Sequence, residues 1–256
     1  MRTIRYLGLD LGWTPRDPSG GVVLEVTEEG NIIMVSSDSL RTHEDVIRWL
    51  NKNRGRGHCT LTVNAPVIIE NLSGSRPCDK LLLEHFGRFK IDEYANNNIS
   101  ASHPRTMAKA WMRMGFDPDP SSESDRLIET HFQAAQIMLF GLDRPVRIKS
   151  GPIGSRKESV DRLRELIQER MMDGTPMLEP SDALDGILEA HLPDLNGTRV
   201  GELEERIEAL VVAYVGACLG QLGPDACAFL GDLQKGYILL PDPSRAQPAE
   251  EEEPAP

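Results

Sequence analysis

IRYLGLDLGWTPRDPSGG, residues 4–21, decides how the rest of the chain is read. Ile4, Tyr6, Leu7, Leu9 and Leu11 form an apolar run too short for a typical helix and suited to a strand. Gly8 and Gly12 flank the one acid in the run, and a glycine inside a strand marks close approach by a backbone or a ligand. Asp10 is therefore expected in a buried central strand. A carboxylate there needs a partner, a metal ion or a raised pKa. The plainer alternative is a structural aspartate capping a local turn.

Outward from this stretch, Ser19-Gly20-Gly21 reads as a turn, VVLEV (22–26) as a second strand, and Glu29-Gly30-Asn31 as another turn. IIMVSS (32–37) completes an antiparallel meander. A helix starting at Thr42 or His43 carries Val46, Ile47, Trp49 and Leu50 as its apolar stripe. CTLTVNAPVII (59–69), broken by Pro66, is the fourth strand. The intervening helix makes a crossover, which returns this strand parallel to the first. Further on, GSRPCDKLLLEHFG and HPRTMAKAWMRMGF predict two helices, with Met107, Trp111 and Met114 as packing material. DRLIETHF (125–132) predicts a fifth strand, and 155–172, 181–191 and 200–220 predict helices. ACAFLGD and KGYILLP predict a closing hairpin. The expectation is one α/β domain over 1–241, a mixed β-sheet with flanking helices and helical insertions. Residues 242–256 are expected to form a disordered acidic tail.

Composition narrows the function. The 256 residues are 39% hydrophobic and 27% charged, enough to bury a sizeable core. No signal-peptide run and no apolar stretch of membrane-spanning length stand out, so a soluble, cytoplasmic protein with no membrane partner is expected. Cys59, Cys78, Cys218 and Cys227 are widely spaced and read as reduced, packed thiols. The formal charge is −12, from 40 acids against 28 bases. That balance argues against a protein that coats nucleic acid by counterion release, although a local basic groove remains compatible with it.

The second isolated carboxylate is Glu208, the one charge in IEALVVAYVGACL (207–219). A helix apolar all round is a buried helix. Glu204 and Glu205 lie within one turn of Glu208, on its N-terminal side, but the helix dipole alone would be satisfied by exposed acids, so Glu208, followed by a wholly apolar stretch, stands out. Asn64 and Glu70 lie in or after the fourth strand, and Glu129 lies in the fifth. Carboxylates gathered from several elements are what Mg²⁺ or Mn²⁺ requires. Two such ions can activate a water and stabilise the leaving oxygen at a phosphodiester. Lys149, Arg156, Lys157, Arg162 and Arg164 form the most basic cluster, but interleaved acids make it read as a solvated helix face. No P-loop, H-E-x-x-H or G-x-S-x-G occurs, and five of the histidines (His43, His58, His85, His103 and His191) show no ligand spacing.

In their order, the segments GLDLGW, SGG, NAP, SRPCD, HPR, ETHFQAA and GDLQKGYILLP resemble the family called domain of unknown function 429, whose members are predicted ribonuclease H-like nucleases. The likeness runs over nearly the whole chain to Pro241. It implies a ribonuclease H-like fold, a nucleic-acid substrate (DNA or RNA), and Mg²⁺ or Mn²⁺ as cofactor. Asp10 matches the family's first-strand acid, and Glu208 matches the Asp of its late-helix D-A-L pattern. Asn64 stands where members commonly read D-A-P, so Glu70 or Glu129 is expected to supply the missing charge. Arg76, Asp79, Arg105 and His131 fall in resembling segments and are expected to line the site and bind substrate. The resulting catalytic set is Asp10, Asn64, Glu70, Glu129 and Glu208. The competing reading is a ribonuclease H-like binding module without catalysis. A sugar-kinase or actin-like protein, which also opens on D-L-G, ranks last because only one such lobe is legible.

Overall fold

β1 (Arg5–Asp10), β2 (Ser19–Val26) and β3 (Ile32–Leu40) form the expected antiparallel meander in a computed structural model that describes residues 3–242. β2 begins at Ser19, so Ser19-Gly20-Gly21 is strand and not the expected turn. Gly20 pairs with Asp10 in register. α1 (His43–Asn53) starts from a capping box in which Thr42 and Asp45 satisfy each other's backbone N–H. It leads to β4 (Cys59–Val63), which runs parallel to β1. β4 is shorter than the 59–69 run and stops at Val63, ahead of Asn64 and Pro66.

α2 (Pro77–Phe86) and α3 (Ser102–Arg113) follow, then β5 (Arg126–Glu129), parallel to β4. His131, expected inside β5, caps α4 (Phe132–Phe140) instead. α5 (Ile153–Ile167) runs into one turn of π-helix. β6 (Leu178–Glu179) pairs parallel with the start of β3. Two residues are too few for hydrophobic periodicity to reveal, and this strand was not expected. α6 (Asp182–Leu188) and the long α7 (Gly197–Leu222) complete the helices. β7 (Cys227–Asp232) and β8 (Gly236–Pro241) form the expected hairpin. The acidic tail falls outside the described residues from 243 on, but Asp242 is held, its N–H donating to Ala226 O at 2.8 Å.

The central sheet has the order β5-β4-β1-β2-β3-β6, with β2 alone running against the other five. Strand alternation sends Leu7 and Leu9 to one face, where they pack with Trp49 and Leu50 of α1 and Met107 and Trp111 of α3. Tyr6 goes to the other face, with Val22, Leu24 and the apolar side of α7. Gly8 and Gly20 let α7 sit directly on the strands. A Cβ on Gly8 would lie 2.0 Å from Ala209 O, and one on Gly20 would lie 2.0 Å from Glu205 O. The strand glycine thus marks the close backbone approach that the sequence suggested.

Candidate functional site

The same alternation places Asp10 on the α7 face, at the carboxyl end of β1, almost fully buried. Its Oδ1 accepts from Asn64 Nδ2 at 3.0 Å, and Asn64 Oδ1 accepts from the Phe132 N–H at 3.0 Å. Asn64 therefore ties β1 to the start of α4, with both ends of its amide engaged. Asp10 Oδ2 faces the Lys149 ammonium at 2.5 Å, and Glu208 Oε2 lies 3.2 Å from the same nitrogen. Two acids from opposite ends of the chain thus share one lysine, which comes from the segment between α4 and α5.

Burial works against the Lys149 charge, but Asp10 and Glu208 outweigh it and raise the lysine's pKa. Burial, reinforced by the Asp10 charge, holds the Glu208 carboxyl well above the usual range, with Lys149 opposing. Glu205, one turn earlier on α7, is also buried, and its Oε2 has no hydrogen-bond partner. Burial pushes its pKa up to about 7, with Lys149 opposing and Asp10, Glu202 and Glu204 adding to the rise.

These groups line one end of a cavity of about 420 Å³. Its wall holds eight acids (Asp10, Asp17, Asp79, Asp92, Glu93, Glu129, Glu205 and Glu208) against Arg76, Arg147 and Lys149. Trp13, Tyr94 and His131 form an aromatic side, with Trp13 and Tyr94 stacked at 5.8 Å and Tyr94 and His131 6.1 Å apart. The His131 Nδ1 accepts from the Ala134 N–H as the cap of α4. Desolvation lowers its pKa to about 4, with Asp92 opposing, so the ring is neutral.

The other expected ligands are placed differently. Glu129 sits beside Val63 in register and shares the face of Leu127, opposite Asp10. Its carboxylate is taken up by Arg76 (Nη1 at 2.9 Å, Nη2 at 2.5 Å) and by the Val67 N–H at 2.7 Å. Asp79 closes the network on Arg76, with Nη2 at 2.8 Å, and accepts from Asn96 at 3.0 Å. Burial works against the Arg76 charge, but Glu129 and Asp79 outweigh it and hold the guanidinium protonated. Arg76, Asp79 and Glu129 thus form a buried brace under the cavity and not a free ligand set. Glu70 is exposed and outside the cavity lining, because the chain turns away after β4. Arg105 belongs to α3, on the opposite face, and does not line the cavity either.

The basic cluster dissolves in the same way. Arg156 pairs with Glu204, Arg162 with Glu165 and Arg164 with Asp161, while Lys157 donates to Pro193 O. Only Lys149 reaches the site. Lys149, Tyr94 and Trp13 come from loops and carry no periodic signal. Glu205 had one, since its spacing of three from Glu208 puts both on one helix face.

The expected two-ion ligand set is not assembled. Among the described residues no three Asp, Glu, His or Cys side chains converge as a ready ion cage. Asp10 and Glu208 already share the Lys149 ammonium, and Glu205 carries an unpartnered oxygen; in chemistry all three are oxygen donors of the kind Mg²⁺ and Mn²⁺ take. Among the described residues no helix is long and apolar enough to cross a membrane. No protein-family model, no curated protein and no solved structure matches this chain.

Proposed function

We propose that the chain is a ribonuclease H-like, divalent-metal-dependent nuclease that hydrolyses phosphodiester bonds at the Asp10–Glu208 end of the cavity. One observation carries the reading: carboxylates from β1 and α7 meet on a single cation. The order β3-β2-β1-β4-β5 with β2 reversed supports the ribonuclease H-like assignment. The electrostatics support cation dependence. A wall of eight acids and three bases repels a phosphodiester until positive charge is added to it. Asp10, Glu205 and Glu208 would hold one Mg²⁺ or Mn²⁺, which when bound polarises the phosphate and activates a water. Asn64 fixes the Asp10 carboxylate through its amide N–H, and Lys149, on a loop, would have to release the acids for an ion to enter and would then supply a further positive charge toward the phosphate.

A second reading is favoured by Lys149 itself. Its ammonium already neutralises the acids, which suits a binding module that needs no metal. Cleavage of mixed DNA and RNA oligonucleotides with Mn²⁺ separates the two. The nuclease reading expects metal-dependent cleavage by wild type, a loss of roughly two orders of magnitude or more in Asp10→Asn, and tighter Mn²⁺ binding in Lys149→Met. No cleavage, together with no change in thermal stability at millimolar Mn²⁺ in either wild type or Lys149→Met, favours the binding module.

A further inference from the structure

We infer that Trp13 and Tyr94 form a stacking subsite for an unpaired nucleobase, next to the acid end of the cavity. The inference rests on the nuclease reading and names its substrate class as single-stranded nucleic acid. Trp49 and Trp111 are 5% and 1% exposed, whereas Trp13 is 38% exposed and its stacking partner Tyr94 is 49% exposed. The Trp13 and Tyr94 rings lie within 24° of parallel, and both line the cavity, so a planar group entering it meets an aromatic face already set in orientation. Trp13 follows Asp10 by three residues, and the charges of Asp10 and Glu208 act on the Tyr94 hydroxyl, so the stack stands beside the carboxylates.

The polar groups at this wall identify the ring. Asp92 is taken up by Arg147 and Gln133, and one Asp17 oxygen accepts from the Thr14 N–H, which leaves the Glu93 carboxylate and the other Asp17 oxygen to accept from the amino or imino N–H groups of a base. His131, closing the row behind Tyr94, is neutral and adds no charge against a base. A base within a duplex has both faces covered by its neighbours, whereas an unpaired base offers a free face to an aromatic side chain. The subsite therefore selects single-stranded or looped segments and seats the base while its phosphate lies toward Asp10.

Trp13 is the one well-exposed tryptophan, so its emission, excited at the red edge, reports the subsite directly. The probe is adenosine, which carries no phosphate, titrated in chelator so that no metal is involved. Saturable quenching is expected in wild type, retained in Tyr94→Phe and weakened about fivefold or more in Tyr94→Ala. With Mg²⁺ present, a single-stranded oligonucleotide is expected to quench, while a blunt duplex and an abasic oligomer of equal charge are expected not to. The absence of saturable quenching by adenosine in wild type overturns the inference, and so does equal quenching by the abasic oligomer. Adenosine binding without metal-dependent cleavage by wild type would remove the nuclease reading and keep the subsite. Cleavage indifferent to strandedness, with no adenosine binding, would do the reverse.

Discussion

Glu129 and Glu208 are both buried carboxylates, yet their partners give them different duties. Glu129 has a guanidinium and a backbone N–H within hydrogen-bond distance and serves to fix Arg76. Removing its charge leaves Arg76 buried against Asp79 alone. Glu129→Gln should therefore destabilise the fold by about 3–5 kcal/mol, read as a shift of the denaturant midpoint. A change below ~1 kcal/mol would mean that the brace is not structural. His131 gives a pH signature. Its folded pKa, about 4, lies below the ordinary value of 6.5, so the unfolded chain takes up the proton first as pH falls. Its contribution is complete above about pH 6.5 and is lost between there and pH 4, about 3 kcal/mol. His131→Asn keeps a side chain able to cap α4 and should flatten that limb of the stability–pH curve. An unchanged limb would assign the acid sensitivity to other groups.

β1 and α7 meet through glycine, and that contact sets the site as much as the acids do. With Cβ positions only 2.0 Å from helix backbone oxygens, Gly8→Ala or Gly20→Ala must lift α7 off the sheet. Each should cost roughly 1–3 kcal/mol or more, measured by thermal or chemical unfolding. Because Glu205 and Glu208 ride on α7, the rise in melting temperature that the proposed metal site implies should shrink more than stability does. Survival of the full metal shift in a folded Gly8→Ala protein would separate the acids from the helix seating. At this level the sequence was informative. Asp10 and Glu208 were legible because each is a lone acid in an apolar run, where a buried carboxylate needs a partner, an ion or a raised pKa. Glu129 was a weaker candidate, a single acid on a strand, and a period-two pattern does not say which face of a strand the cavity occupies. Glu70 failed because Pro66 ended the strand before it.

Sheet order follows from the meander and crossover, so most of the architecture was legible, apart from the two-residue β6. What escaped reading came from loops. Lys149 meets Asp10 across a separation of 139 residues, and no local pattern encodes such a meeting. The charge of the whole chain adds one more expectation. Nucleic-acid binders with basic surfaces lose affinity as salt rises. On the nuclease reading, a chain of net charge −12 would approach a polyanion, so screening should help encounter. At fixed Mg²⁺, the association rate with a single-stranded oligonucleotide should rise as NaCl goes from about 20 to 150 mM. A steep fall, followed by stopped-flow emission from Trp13, would reveal a basic track outside the cavity.

α7 lies on β1 and β2 yet is separated from them in sequence by all the other helices. During synthesis the sheet strands leave the ribosome first, and the helix that covers them leaves late. Until then Tyr6, Val22 and Leu24 have no α7 against which to pack, and Asp10 has no Glu208 beside it. The growing chain therefore exposes apolar strand surface over much of its translation. On the proposed metal site, cation affinity should begin only when residues 197–222 dock and cover those strands.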